Sequence, residues 1–589
     1  MSTASTYQIC LAELTNATSS TPTTDALLEC ISNSFDAAQV STDLSIDAFF
    51  LLYASTLIFF MQTGFAMVCA GCVRLKNVQN TLLKNILDAC GVSYGFYSLG
   101  YAFAFGTTPG NTATTFIGNR NFFLVGVDDD SFWLFQFAFC ATSGTIVAGA
   151  LAERCQMVAY LAYSLFLSSF VYPVVVHAIW SNNGFLSARN INPLWGSGMI
   201  DFAGSCVVHI TGGATALIAS KLLGPRTGRF HDLHGNLLDS PKEMPGHSLA
   251  LQCLGTLILW FGWYGFNCGS IITLTINDNY KVISHTAINI TLSGAAGCIM
   301  TLISSSIAAE RSTGETTYYL PYALNGCLSG LVAITAGCSI VDHWASIVIG
   351  LTSGALYLVC SKLLVKWRID DAVDAIPVHL TNGIWGTIAV GLFAVPELLS
   401  NVYNSSTHAG WFYKWGMGSA DATLLACQLI GILFVTGWVL CMMLPFFWLL
   451  HYFGYLRADA LEEVIGLDVA YRGGMLESND DQDEETKKKM DDYIKEYERR
   501  KAEKAHFLQM NDNRSGSLFS RAPIPASSLH NESLHGHSFH GRRVVAAGSL
   551  DASKTSRDSH RSRSRNEMGE DNAIAKSIDV EQWIENARD

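Results

Sequence analysis

Two stretches of this chain share one pattern: Asp201-Phe-Ala-Gly-Ser-Cys-Val-Val-His209-Ile-Thr-Gly-Gly213 and Asp371-Ala-Val-Asp-Ala-Ile-Pro-Val-His379-Leu-Thr-Asn-Gly383. In each, a histidine follows an acid by eight residues. An aliphatic residue, a threonine and a glycine come next. Both copies sit in apolar stretches long enough to cross a bilayer. Ionisable groups in hydrocarbon are costly, so a repeated acid–histidine pair points to a transport pathway.

Composition sets the class. Of 589 residues, 49% are hydrophobic and only 15% charged, and the mean hydropathy is +0.25. Charge gathers in the last quarter, leaving long uncharged runs of about 20 residues, the length a helix needs to span a membrane. The expected fold is an all-α polytopic membrane protein with a soluble, partly disordered tail. The net charge of -13 mixes tail and loops and decides little.

Hydropathy places about eleven spans, near 46–71, 81–106, 131–152, 156–180, 199–222, 247–270, 284–308, 320–340, 344–364, 376–396 and 421–453. Residues 1–45 are polar and carry no signal-peptide pattern, so the first span is expected to act as its own insertion signal. Arg74, Lys76, Arg154, Lys221, Arg226, Arg229, Lys242, Arg311, Lys362, Lys366 and Arg368 all fall on one side. Arg120, Arg189, Lys281 and Lys414 fall on the other. Positive residues favour the cytoplasm, which puts the amino terminus outside the cell and the tail inside. The sequons at Asn16 and Asn404 then lie outside as candidate glycosylation sites, whereas Asn289 sits too near a span to be an acceptor.

Under this topology the two patterns lie on spans five and ten, which run in opposite directions. Eight residues of helix rise about 12 Å, close to half of a hydrocarbon core of about 30 Å. Both histidines therefore approach the midplane from opposite faces. That is the arrangement of an inverted five-helix repeat plus one, with a binding site at mid-membrane. Two unrelated core histidines, each with an Asp capping its helix, are the alternative that this symmetry disfavours.

Further segments carry a resemblance: Phe135-Gln-Phe-Ala-Phe139, Gly149-Ala-Leu-Ala-Glu-Arg154, Pro173-Val-Val-Val-His-Ala-Ile-Trp180, Trp260-Phe-Gly-Trp-Tyr-Gly-Phe266-Asn-Cys-Gly-Ser270 and Val378-His-Leu-Thr-Asn-Gly-Ile-Trp-Gly386. Together with 201–213 they resemble the ammonium transporter (Amt/Mep/Rh) family, in its plant and algal branch, over roughly residues 45–475. The resemblance implies eleven spans, a homotrimer and one pathway per subunit. It implies an outer ammonium site at Phe139, Trp180 and Ser270, with Phe135 nearby and Asp201 stabilising the site. It implies a gate of stacked rings at Phe139 and Phe266, and a pore lined by His209 and His379.

Physical chemistry fits these roles. Aromatic faces attract a cation that is losing water, and a serine oxygen accepts an N–H. Ammonium and potassium are similar in radius, but only ammonium can leave a proton behind. A bare monovalent ion is costly to bury and neutral ammonia far less so. Imidazoles can both donate and accept hydrogen bonds. With these roles, the resemblance to the plant-type branch implies high-selectivity, electrogenic ammonium uptake across the plasma membrane. Deprotonation occurs at the gate, ammonia passes through the pore, and the proton follows through Asp201, His209 and His379.

Asp371 and Asp374 lie at the inner mouth. Asp374 reads as structural; Asp371 reads equally as a cap or as a cation-release group. Cys206 replaces the small residue common in the family's signature. Most of the 16 cysteines are scattered singly through spans, without metal-ligand spacing. Cys10 and Cys30 face the oxidising exterior, either paired within or between subunits or as free thiols.

The tail reads in three parts. Residues 454–476 resemble the family's docking segment, with Ala470 where plant relatives commonly carry a phosphorylatable threonine. Residues 477–510 read as a charged, solvated helix without an apolar seam. Residues 511–589 read as mostly disordered, with Ser562 and Ser564 either kinase targets or part of a plain solubilising tail. The stretch holding Ile578, Val580, Trp583 and Ile584 reads as a short docking helix.

Two other function classes compete: an ammonium sensor signalling through the long tail, and an intramembrane enzyme built on His and Asp. The second lacks ligand spacing, so no enzyme, metal, cofactor or nucleic-acid partner is expected.

Overall fold

The computed structural model describes residues 3–18, 23–108, 114–232, 236–276 and 278–472, with 495, 496, 499 and 502 beyond them. The chain divides into two units, Met1–Tyr493 and Ile494–Asp589. In the second unit the four described residues are helical, and Arg499 pairs with Glu496 at 2.7 Å. The expectations for 511–589 and for most of 477–510 lie outside the described residues.

The described residues are helical, with isolated β-bridges in place of strands. Helix α1 (Thr3–Thr18) packs against α2 (Thr24–Cys72), which starts where the Thr23 hydroxyl accepts the Ala26 N–H. A disulfide joins Cys10 to Cys30 within the chain, with Cα atoms 5.8 Å apart. Residues 3–18 and 23–45 thus form a hairpin of two packed helices, the second continuous with the first span. At 49 residues α2 is about 74 Å long, more than twice a hydrocarbon core of about 30 Å.

After α2 come α3 (Val78–Gly95) and, past a π turn, α4 (Tyr101–Phe105). Then follow α5 (Asp130–Ala150), α6 (Met157–Phe166) and α7 (Tyr172–Trp180). A π turn, Ser205–Ile210, opens α8 (Thr211–Leu223), and α9 (Leu249–Cys268), α10 (Asn279–Thr313), α11 (Leu320–Ile334) and α12 (His343–Lys366) succeed it. Another π turn, Ile376–Thr381, opens α13 (Asn382–Phe393). Short α14 (Pro396–Tyr403) and α15 (Trp411–Gly416) lead to α16 (Thr423–Tyr452). Two more short helices, α17 (Ala460–Ile465) and α18 (Leu467–Arg472), end the described tail segment.

Nine helical stretches among the described residues are long and apolar enough to cross a membrane. The other two expected spans are helical as well. The arm built from α3 and α4 carries Gln79, Asn80, Lys84, Asn85 and Asp88, which lower its hydropathy, and α11 has only 15 residues.

The repeat seen in the sequence has a structural counterpart. Each Asp caps a π turn that holds its histidine. Asp201 accepts the N–H groups of Gly204, Cys206 and Val207 at 3.0, 2.9 and 2.8 Å. Asp371 accepts those of Val373 and Ile376 at 3.3 and 2.7 Å. The glycine four residues past each histidine lets the two halves touch. A Cβ on Gly213 would lie 2.5 Å from the Leu380 nitrogen, and one on Gly383 would lie 2.6 Å from the Ser205 oxygen.

Beside the Asp371 cap, the helix ends are tied by a buried ionic network. Asp370 accepts the Arg226 Nε and backbone N–H, both at 2.8 Å, and Arg74 Nε donates to Glu153 at 2.6 Å. The segment after α16 joins this network. Arg457 pairs with Glu463 at 2.8 Å, and Glu463 accepts the Thr227 N–H at 2.6 Å. Asp468 caps α3 by accepting the Gln79 and Asn80 N–H groups at 3.0 and 2.6 Å. The tail segment therefore packs against the loops of its own chain.

Candidate conduction pathway

Five of the residues singled out in the sequence line a single cavity of about 530 Å³: Phe135, Phe139, Trp180, Asp201 and Ser270. Phe135 and Phe139 sit one turn apart on α5, with ring centroids 4.8 Å apart. Trp180, the last residue of α7, stands edge-on to Phe139 at 5.6 Å and 83°. Its indole N–H donates to the Asp201 carbonyl at 2.7 Å. Asp201 thus orients the ring with its backbone, while its carboxylate is turned into the π turn.

Ser270 lies on the short 3-10 turn after α9, and its hydroxyl donates to the Phe266 carbonyl at 2.8 Å. With its proton committed there, the oxygen offers lone pairs to the cavity. The site combines ring faces with a hydrogen-bond acceptor, the chemistry that suits a small cation carrying N–H groups.

The cavity closes on a stack of rings. Phe139 lies over Phe266 at 4.1 Å and 26°. Behind Phe266 comes His209 at 5.8 Å, flanked by Trp263 at 5.5 Å and 14°. His209 is followed by His379 at 5.1 Å and 21°, with their Nδ1 atoms 3.2 Å apart. One imidazole must donate to the other across that contact. The His209 Nε2 is buried without a hydrogen-bond partner among the described residues. Phe65 of α2 stands 6.2 Å beyond His379.

Past the histidines, His379 opens on a cavity of about 370 Å³ walled mostly by apolar side chains, among them Phe65, Val68, Leu259 and Leu328. A larger cavity, about 1180 Å³, follows. Asp371 and Asp374 line it. Asp374 takes a left-handed backbone, φ 58°, and accepts the Tyr357 and Ser361 hydroxyls at 2.7 and 3.1 Å. Burial, with Asp374 beside it, pushes the Asp371 carboxyl up to about 6.

The order along the path is therefore polar mouth, ring stack, imidazole pair, apolar chamber and acidic vestibule. The family model for the Ammonium Transporter Family matches residues 49–475. The chain belongs to the ammonium transporter family. It is 40% identical to ammonium transporter 1 member 3 of Solanum lycopersicum over 452 residues, covering 74% of this chain and 94% of that protein. It is 37% identical to ammonium transporter 3 of Dictyostelium discoideum, over 75% and 96% of the two chains. Among solved structures it is similar to one described as a sensor Amt protein, with a TM-score of 0.62 and 28% identity over 73% and 99% of the chains. It is also similar to Mep2 of Candida albicans, with a TM-score of 0.60 and 25% identity over 74% and 92%.

Several neighbours of this transporter's ring stack were not singled out from the sequence. Trp263 was legible in principle, since it precedes Phe266 by three residues and so shares its helix face. Phe65 lies on a uniformly apolar stretch of α2 that carries no such signal. The remaining candidates lie apart from the pathway. Cys10 and Cys30 join the hairpin, and Asn16 and Asn404 are exposed at the end of α1 and after α14.

Proposed function

We propose that each chain takes up ammonium across the plasma membrane, with the Asp201 end of the path and the amino terminus outside the cell. Ammonium is recruited between Phe139, Trp180 and the Ser270 oxygen, with Phe135 behind them. It loses a proton at the Phe139–Phe266 gate. Ammonia then passes the imidazole pair into the apolar chamber and regains a proton in the acidic vestibule. Asp201 holds the site's tryptophan and contributes its field. The proton follows through His209 and His379, so that net charge moves, and Asp371 receives the cation at the inner mouth.

The observation that carries this reading is the 3.2 Å Nδ1–Nδ1 contact of His209 and His379, set directly behind stacked phenyl rings. A dry passage of that kind penalises an ion that cannot release a proton. The working unit is a homotrimer. Asn16 and Asn404 are the glycan acceptors, whereas Asn289 is buried and donates to the Cys338 and Val341 carbonyls.

Whole-cell current against ammonium, potassium and pH tests the proposal. Wild type is expected to carry ammonium current without potassium current, and His209 or His379 variants to lose that discrimination. Equal currents for both ions in wild type would overturn it.

A further inference from the structure

The cavity at the Asp201 end contains a charge of the wrong sign for a collector of cations. Arg189 lines it together with Phe139, Trp180, Asp201, Ser270 and Tyr403. The guanidinium carbon stands 5.8 Å from the centre of the Tyr403 ring, at the end of α14. The backbone beneath it is fixed, because the Ala188 N–H donates to the Met199 carbonyl at 3.3 Å and the Arg189 N–H to the Ser187 hydroxyl at 3.2 Å. That anchorage holds Arg189 close to the segment leading into Asp201. Arg189 is exposed, and among the described residues no carboxylate pairs with it. The one carboxylate lining the same cavity, Asp201, is engaged by three backbone N–H groups.

A guanidinium whose charge no carboxylate neutralises among the described residues repels every approaching cation, with work proportional to the cation's charge. We propose that Arg189 is a charge filter at the outer mouth, lowering its occupancy by monovalent cations modestly and by divalent cations far more. The inference rests on the transport reading above and adds a specificity-determining residue to it. The aromatic site then selects among the monovalent ions that the filter admits, and abundant divalent ions are kept from lodging over the gate.

Methylammonium uptake, normalised to surface protein, provides the test. At about 10 mM ionic strength, where the screening length is about 30 Å, Arg189→Gln should lower KM by roughly two- to fivefold. At about 0.15 M, where that length is about 8 Å, most of the difference should vanish. The inhibitory constant of Mg2+ should fall by about the square of the KM ratio, because its charge is double. Arg189→Lys, which keeps the charge, should behave as wild type. A KM ratio equal at both ionic strengths, a Lys variant matching the Gln variant, or Mg2+ inhibition unchanged would each overturn the filter. Absence of uptake by wild type would strike the transport reading itself, and the filter would fall with it.

Discussion

The Nδ1 atoms of His209 and His379 lie 3.2 Å apart, so the two imidazoles share a single hydrogen bond. The tautomer of one ring therefore dictates that of the other: if His209 Nδ1 carries the proton, His379 Nδ1 must accept it. A proton passing along the pair leaves both rings in the opposite tautomer, which requires a reset before the next one.

Replacing His209 by Asp removes that coupling and puts a carboxylate beside Phe266. The expected result is potassium current where wild type has none, with the ammonium-to-potassium ratio falling at least about tenfold, equivalent to roughly 1.4 kcal/mol of lost discrimination. Two-electrode recordings in mixed and single salts read it directly.

Asp201 acts through its backbone contacts, so shape matters as much as charge. Asp201→Ala leaves three buried N–H groups without their acceptor, at about 1–3 kcal/mol each. It should lower the melting temperature in detergent and abolish uptake. Asp201→Asn keeps an acceptor oxygen and should fold, with uptake reduced. A stable, fully active alanine variant would contradict the capping role.

Gly213 and Gly383 should respond alike. A methyl group at either meets backbone of the opposite half at 2.5 or 2.6 Å. Overpacking of this kind costs about 1–3 kcal/mol. Both alanine variants should melt earlier and transport less, whereas Gly437→Ala, whose added carbon has nothing within 4 Å, should be silent. Thermal unfolding of the three side by side decides it.

Asp370 sets an acid limit. Burial by itself would raise its carboxyl, but Arg154 and Arg226 outweigh burial and hold it well below the usual carboxylate range. A depressed carboxyl contributes stability that is complete above its ordinary value near 4 and is lost as pH falls toward the folded value. Asp370→Asn should cost roughly 3–5 kcal/mol at neutral pH. Its deficit relative to wild type should shrink below about pH 4, as followed by melting curves across pH.

Much of the pathway was legible because its chemistry sits at fixed spacings. The acid-to-histidine interval, the Phe135–Phe139 turn and the tryptophan at the end of α7 are all local patterns, and packing brings them together. What was not legible depends on tertiary contact. The π turns around His209 and His379 add width that no residue type announces. Phe65 reaches His379 from another helix altogether. The amino-terminal segment read as polar chain because its serines and threonines give little helical periodicity, yet packing of α1 on α2 and the Cys10–Cys30 link make it a hairpin. Arg189 was counted only for its side of the membrane, since nothing in its neighbours reveals that it faces the Trp180 cavity.

The length of α2 has a mechanical consequence. The same helix carries Cys30 in the hairpin, Asp47, whose carboxylate accepts the Leu274 and Thr275 N–H groups, and Phe65 beneath the second imidazole. A rod of unbroken backbone bonding resists bending and transmits torque. Whatever grasps the hairpin, whether a sugar chain, an antibody or a neighbouring copy, holds through that rod the ring that floors the histidine pair.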